Sequence, residues 1–349
     1  MTATLWPDVI GRLVRREDIP GDLVEQAMSV SLSGDATDAQ IAGFAVALRA
    51  KGETSDELAT LVRTMLQFAE HVDLASVDGP ILDTCGTGGD RAGTVNVSTM
   101  AALVAAAAGA NVAKHGGRAA SSQCGSTDVL EALGVVIDLG PEGVARCVRE
   151  VGIGFCFAQR FHAAMRFAAP VRRELGTPTT FNFLGPLANP AGATRRTIGV
   201  SDPAMADRVI NTLAALGTER AFVFYGHDGL DELTVTTTST VHELQDGDIR
   251  VYDVDPTDFG IPVAELRGLA GGDAAGNAEA VHKTFAGAAG PIRDIVALNA
   301  AAALVVADLA PDLGTGVGRA RELLDDGSAA ATLEALVRVS VAAREAGDG

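Results

Sequence analysis

The chain is predicted to be an α/β protein, with a small all-helical unit and a larger unit built on a mostly parallel central sheet. Three observations predict this. Residues 1–70 carry helical periodicity and no strand alternation. From about residue 80, short apolar runs alternate with glycine-bearing loops and helical stretches. Finally, 47% of the 349 residues are apolar but only 4% are aromatic, so a core large enough for two domains must be packed from small aliphatic side chains.

The elements follow in order. Ile10, Leu13 and Val14, then Ile41, Phe44, Ala45 and Leu48, recur at helical spacing, while Pro20–Gly21, Gly34–Asp35 and Gly52 punctuate the segments. Ile81–Cys85 reads as a buried strand, Gly86–Gly89 as a loop, Ser98–Ala108 as a helix and Ala110–Lys114 as a second strand. A helix at Asp128–Leu133 stops at Gly134. Strands are expected at Val135–Leu139 and Val151–Phe157, with a helix between them. The alternation implies parallel strands covered on both faces. A helical stretch over 162–187, ending in FNFLGPLANP at 181–190, interrupts it. Strand patterns resume at Thr197–Val200, Ala221–Tyr225 and Thr234–Thr240. Ile292–Ala307 reads as a helix, and 308–349 as polar surface helix. No internal repeat is present.

A net charge of −18 repels nucleic acid and anionic membranes, so a phosphate ligand would need a local cluster of cations and backbone amides. Cys85, Cys124, Cys147 and Cys156 form no CxxC or zinc spacing. The N-terminus lacks the apolar run of a signal peptide, and the alanine-rich stretch from Met100 to Ala110 is about half of the ~20 residues a membrane span requires. A cytoplasmic protein is expected.

Four constellations could carry chemistry. Gly86-Thr-Gly88-Gly89-Asp90 lies between a strand and Asn96-Val-Ser98-Thr99, which opens a helix. Such a loop can aim backbone N–H groups at an anion beside the positive end of a helix dipole. It is neither a Walker loop, since no lysine follows at that spacing, nor a dinucleotide fingerprint, since Arg91 occupies the third glycine position. A plain tight turn is the bland alternative. Lys114-His115-Gly116-Gly117-Arg118, followed by Ser121 and Ser122, starts at the next strand end, where open α/β sheets place ligands. Alone it could be a solvated basic turn. Asp231 and Glu232 follow an apolar strand and suit magnesium on a diphosphate, which takes one or two protein carboxylates; a surface acidic turn is the alternative. Around His162 stand Arg160, Arg166, Arg172 and Arg173. Of the last two, only one can face inward, where it would pair with a carboxylate; otherwise such arginines solvate a helix.

In their order and spacing these motifs resemble the anthranilate phosphoribosyltransferase family over nearly the whole chain. The likeness runs through GDATDAQIAGFAVALRAKGET at 34–54, GTGGD at 86–90, NVST at 96–99, KHGGRAASS at 114–122 and STDVLEALG at 126–134. It continues through GFCFAQRFH at 154–162, FNFLGPLANP, DGLDELT at 228–234 and GGDAAGNA at 271–278. The resemblance implies a helical domain of residues 1–72 with 162–187, and a nucleoside-phosphorylase-like α/β domain of 73–161 with 188–349. The site would lie in the cleft between them, and the protein would be a homodimer joined through the small domains. It implies transfer of phosphoribose from 5-phosphoribosyl 1-diphosphate (PRPP) to a small aromatic acid, anthranilate. PRPP would be held by Gly86, Gly88, Gly89, Asp90, Asn96, Ser98, Thr99, Lys114, Arg118, Ser121 and Ser122. Mg2+ would be held by Ser98, Asp231 and Glu232. On the acceptor side stand Gly86, His115, Gly117, Gln159, Met165 and Arg172, with His115 a candidate to orient the acceptor or relay a proton. Displacement at the anomeric carbon needs no covalent enzyme intermediate, which agrees with the absence of a GxSxG elbow or HExxH motif.

Three positions depart from the family pattern: Gly117 stands where asparagine is usual, Gln159 where proline is usual, and Phe167 where histidine is common. These departures fall on the acceptor side and open a second reading, a paralogue that uses another aromatic acid or amine. A non-catalytic binding homologue is disfavoured by the net charge and by retention of Asp231 and Glu232. A nucleoside phosphorylase is disfavoured by the complete GTGGD–NVST pair.

Overall fold

The computed structural model describes residues 2–118 and 123–348. Four helices open the chain: α1 (Thr2–Val14), α2 (Gly21–Ser33), α3 (Asp38–Lys51) and α4 (Ser55–Gln67). Thr37 with Gln40, and Thr54 with Glu57, form reciprocal capping boxes at the starts of α3 and α4. Gly34 (φ 85°) and Gly52 (φ 90°) end α2 and α3 in backbone conformations that exclude most side chains. Buried Glu57 also accepts from the Ile19 N–H (2.9 Å) and from Lys51 Nζ (2.8 Å), binding the α1–α2 and α3–α4 connections together.

Next come β1 (Ile81–Gly86), α5 (Val97–Ala107), β2 (Asn111–Gly116), α6 (Ser126–Ala132), α7 (Pro141–Val151), β3 (Ile153–Phe157), α8 (Ala158–Phe161), α9 (Ala169–Leu175) and α10 (Phe181–Leu187). They are followed by β4 (Arg195–Gly199), α11 (Ala206–Ala215), β5 (Arg220–Gly226), β6 (Ser239–Gln245) and β7 (Asp248–Val254). The helices α12 (Ala274–Phe285), α13 (Pro291–Val306), α14 (Leu313–Asp325) and α15 (Ser328–Ala346) close the chain. The strands form one sheet in the order β3-β2-β1-β4-β5-β6-β7, with β3 to β5 parallel and β6 and β7 antiparallel. Both faces are covered: along β5, Phe222 and Phe224 enter one core while Ala221 and Val223 enter the other. The first core is filled by α5 and α13, whose alanines allow close approach. The second joins the opening helices to Val171, Phe181, Phe183 and Leu184 and to α11.

The sequence pattern and the structure part in four places. Val135–Leu139 is not a strand. Its apolar side chains are buried, but the Val136 N–H donates to Ser340 Oγ (3.0 Å) on α15, and β3 holds the position beside β2. Only Ser239 and Thr240 of Thr234–Thr240 are strand, because Thr234 and Thr236 turn their hydroxyls to Asp228 and stay in the loop. Strand β7 went unrecognised because five of its seven residues are exposed; the Asp246–Gly247 turn (φ 53° and 88°) was the available hairpin signal. Finally, α14 and α15 are not merely surface helices: Val317, Leu323, Leu324, Leu333 and Leu336 are core residues, and a Cβ on Gly316 would press on Ala301 of α13.

The FNFLGPLANP segment is fastened to the sheet by donors that meet its backbone carbonyls. His115 Nδ1 lies 2.9 Å from Gly185 O. Arg196 Nη1 donates to Pro186 O (3.0 Å) and Leu187 O (3.1 Å), and His162 Nε2 lies 2.9 Å from Ala188 O. Asn189 Nδ2 completes the fastening on Ala113 O (2.8 Å). These carbonyls close a short helix and have few intrahelical partners, so buried donors there satisfy both hydrogen bonding and the helix dipole. Burial, above all, pushes His115 down to about 4 and His162 down to about 3. Both rings are therefore neutral donors at pH 7. A histidine depressed in the folded state stabilises above its unfolded pKa of about 6.5, and that stability is lost as pH falls towards the folded value. The contribution of the two histidines is expected to be lost between pH 6.5 and 4, against the opposite trend of any buried carboxyl raised in the folded state. His162→Gln, which keeps a donor but cannot be protonated there, should flatten that slope in urea unfolding measured across the range.

Candidate active site

The C-terminal ends of β1 and β2 and the start of α5 meet the loop that follows β5. After β1, Gly88 (φ 65°) and Gly89 (φ 89°) take left-handed conformations open to glycine. The Thr87 N–H donates to Gly199 O (2.9 Å), and Ser201 Oγ donates to Gly88 O (2.7 Å), so β4 braces the loop. The Gly88 N–H donates to Asp231 Oδ2 (2.7 Å), and the Ser98 N–H, in the first turn of α5, donates to Glu232 Oε1 (3.1 Å). Thus Asp231 and Glu232, each 9% exposed, fill the place where an anion-binding loop and a helix N-terminus converge.

Two glycines make room for them. A Cβ on Gly86 would collide with the Asp231 carboxylate, and one on Gly199 with the Asp231 backbone. Asn299 of α13 holds the loop from behind, accepting from the Leu233 N–H (3.0 Å) and donating to Leu233 O (2.8 Å). Burial, then the neighbouring Asp90, pushes the Asp231 carboxyl up to about 7; burial and Asp231 push Glu232 well above the usual carboxylate range. Two adjacent buried carboxylates with one lysine beneath them are short of positive charge. Among the described residues no three His, Cys, Asp or Glu side chains form a metal cluster. The pair plus the Ser98 hydroxyl is a hard-oxygen set that fits magnesium shared with a diphosphate.

Lys114 is that lysine. It is 2% exposed, and its ammonium donates to Thr84 O and to Ser98 Oγ (3.3 Å), so it is not a solvated basic turn. Burial lowers its pKa, while Asp83 and Glu232 oppose the shift. It supports the cradle from below.

Other expected residues are placed differently. Thr99 is 1% exposed, its hydroxyl is buried without a hydrogen-bond partner among the described residues, and the residue borders a small cavity with Leu103, Lys114 and Phe155. Arg118 is committed to Asp128 (2.9 Å) and Glu131 (2.6 Å) on α6. His115 is 4% exposed, its Nδ1 is engaged by Gly185, and burial keeps the ring neutral at pH 7. Ser121 and Ser122 lie outside the described residues. Asp90 stands at the loop end near Asp231, and both atoms of the Asn96 side-chain amide bond to protein groups.

On the acceptor side, Gly117 lies beside Gln159: a Cβ there would stand 3.6 Å from Gln159 Oε1 and from Ala158 Cβ. Gln159 is exposed at the start of α8, and Met165 packs against the helical core. Arg172 is half-buried and Arg173 exposed, as expected for neighbours on a helix; burial lowers the Arg172 pKa, and no ion pair engages it among the described residues. Arg160 is drawn to Glu70 and Asp138, and Arg166 stacks on Phe167 (4.4 Å). Phe167 packs so closely on Gly34 that a Cβ there would meet its ring at 2.7 Å. Sequence reasoning missed Asn299, Arg196 and Asn277. Each is a buried polar residue in an apolar or small-residue stretch, and that contrast was the available signal.

Residues 7–69 match the helical bundle domain of a glycosyl transferase family, and residues 78–330 match its a/b domain. The chain is 55% identical to the anthranilate phosphoribosyltransferase of a Nocardioides species over 94% of its length and 97% of the relative's. It is 51% identical to that of Salinispora arenicola over 97% and 98%. Among solved structures, anthranilate phosphoribosyltransferase from Thermus thermophilus superposes with a TM-score of 0.90 at 41% identity, covering 95% of this chain and 99% of that one. The Saccharomyces cerevisiae enzyme in complex with PRPP and Mg does so with 0.89 at 27% identity, covering 98% and 99%. The chain therefore belongs to the anthranilate phosphoribosyltransferase family.

Proposed function

We propose that this chain transfers the 5-phosphoribosyl group of PRPP to the amine of anthranilate, giving N-(5-phosphoribosyl)anthranilate and pyrophosphate. The observation that carries this reading is the buried Asp231–Glu232 pair beneath a glycine loop and a helix N-terminus. Ser98, Asp231 and Glu232 would hold Mg2+, which would neutralise charge on the diphosphate. Gly86, Gly88, Gly89, Asp90, Asn96, Ser98, Ser121 and Ser122 surround PRPP, with Lys114 acting from beneath. The bond from the anomeric carbon to the diphosphate oxygen breaks, and the anthranilate nitrogen bonds to that carbon from the opposite face. The nitrogen then gives up one proton to solvent. The chain supplies position and leaving-group electrostatics. Arg172, half-buried and without an ion-pair partner among the described residues, is suited to the acceptor carboxylate.

The first test is pyrophosphate release from PRPP, magnesium and anthranilate by the purified protein, alongside Asp231→Asn/Glu232→Gln. The double variant is expected to lose at least about a hundredfold in turnover. Its melting temperature should hold or rise, because two buried charges that disfavour one another are gone. Wild-type turnover in the double variant would defeat the reading.

Gly117 and Gln159 support a second reading, a different aromatic acid as acceptor. A Cβ at 117 would meet only ordinary contacts of 3.6 Å, which favours tolerance of a side chain there. Gly117→Asn is expected to raise kcat/KM for anthranilate relative to other aromatic acids by roughly tenfold, the worth of one well-placed hydrogen bond. Anthranilate already matching every other acid tested, with Gly117→Asn lowering its value, would remove the second reading.

The protein is further proposed to be cytoplasmic and homodimeric, with residues 1–72 and 162–187 forming the domain that makes the dimer contact. Among the described residues no helix is long and apolar enough to cross a membrane. Val14 and Val46, 72% and 42% exposed on the packed helices α1 and α3, are apolar positions of this domain at which a dimer contact can be tested. Val14→Glu/Val46→Glu should convert a dimeric light-scattering mass to a monomeric one.

A further inference from the structure

We propose that Asn277 is a positioning residue that fixes the polarity of the Asn96 side chain, so that Asn96 can only donate to the ligand it meets in the cradle. The inference rests on the reading of that cradle as the PRPP site. It gives a role to the GGDAAGNA stretch, which the reaction itself leaves unused.

This stretch runs alongside the return arm of the glycine loop. The Gly271 N–H donates to Gly93 O (2.8 Å), the Val95 N–H donates to Leu269 O (3.1 Å), and Thr94 and Ala270 form an antiparallel bridge. Asp273 then caps α12 by accepting from the Gly276 N–H (2.8 Å), which sets Asn277 in the first turn, 2% exposed. A Cβ on Gly271 would strike both Asn277 Oδ1 and Thr94 O, so only glycine lets these segments close on one another.

Two backbone groups determine which way both amides face. The Cys124 carbonyl can only accept, so the Asn96 atom 3.2 Å from it is Nδ2. The Gly272 N–H can only donate, so the Asn277 atom 2.7 Å from it is Oδ1. Asn277 Nδ2 therefore faces Asn96 Oδ1, at 2.9 Å, and the Cys124 sulfur lies 3.6 Å from the same oxygen. Turning either amide over would set acceptor against acceptor or donor against donor. With Oδ1 held by the protein and one N–H used by Cys124 O, Asn96 keeps its second N–H for the cradle. A fixed donor matches phosphate and hydroxyl oxygens and leaves no lone pair for a donor group.

Asn277→Asp separates this role from a merely structural one. An aspartate keeps an oxygen for the Gly272 N–H but sets a second oxygen against Asn96 Oδ1. Asn96 must then turn over and lose its match to the Cys124 carbonyl, or stay and face repulsion. The PRPP KM is expected to rise by about tenfold or more, with the anthranilate KM within about twofold, because one charge-facing hydrogen bond is lost. Asn277→Ala, which introduces no charge, should give a smaller but equally selective rise. Equal shifts in both KM values, or an unchanged PRPP KM in either folded variant, would overturn the proposal. Asn96→Ala is the reference: if it raises the PRPP KM while the Asn277 variants do not, the cradle reading stands and the proposal fails. If Asn96→Ala itself leaves PRPP unaffected, the reading of Asn96 as a PRPP contact fails, and the proposal fails with it.

Discussion

The arrangement of the site depends on one electrostatic constraint: two adjacent carboxylates, Asp231 and Glu232, are held almost out of water. Such a pair is unfavourable unless donors and cations surround it. The Gly88 and Ser98 N–H groups, the α5 dipole and the Lys114 ammonium supply part of that compensation. Gly86 and Gly199 have no side chains because Asp231 occupies the space. Asn299 fixes the loop from the core side. What remains uncompensated, visible in the upward shifts of both carboxyls, is what a divalent cation would supply.

The fold was legible in the sequence wherever local chemistry decides it. Periodicity gave the opening helices, alternation gave the parallel strands, and the capping boxes at Thr37 and Thr54 can be read directly from TDAQ and TSDE. Val135–Leu139 failed because an apolar run states that it is buried and not what it pairs with. Residue types at the site were legible for the same local reasons: glycines after a strand, a hydroxyl at a helix start, paired acids in a loop. Hydrogen-bond partners were not. Whether Arg118 meets a phosphate or Glu131, and whether His115 faces an acceptor or Gly185, depends on segments 13 and 70 residues away. Spacing carries no such information.

FNFLGPLANP ties the two sides of the molecule together. Its carbonyls at Gly185 to Ala188 are taken by His115 on β2, Arg196 on β4 and His162 after α8, and Cys85 Sγ lies 3.7 Å from Pro186 O. Phe181, Phe183 and Leu184 of the same helix enter the core shared with the opening helices. Backbone polar groups thus fix one side of the segment to the strands that carry the cradle, and apolar side chains fix the other to the helical unit. A second tie lies nearby. Buried Glu53 accepts from Thr180 Oγ1 (2.5 Å) and Arg49 Nη1 (3.3 Å), while Arg49 Nη2 reaches Asp202 (2.6 Å) beyond β4.

The two sides of the site consequently differ in how freely they can change. Around the glycine loop nearly every polar group is engaged by the fold itself. Gly86 and Gly199 leave room for Asp231, Lys114 donates to Ser98, and Asn277 donates to Asn96, so larger or apolar replacements of these groups disturb the packing around the loop. On the acceptor side, Gly117 is tied to the start of α6 through its carbonyl, which any residue supplies, a Cβ there would meet only ordinary contacts, and Gln159 is exposed. Residues with so few obligations to the core can vary at little cost to folding. The departures from the family pattern at 117 and 159 thus sit where side-chain change disturbs little of the surrounding packing.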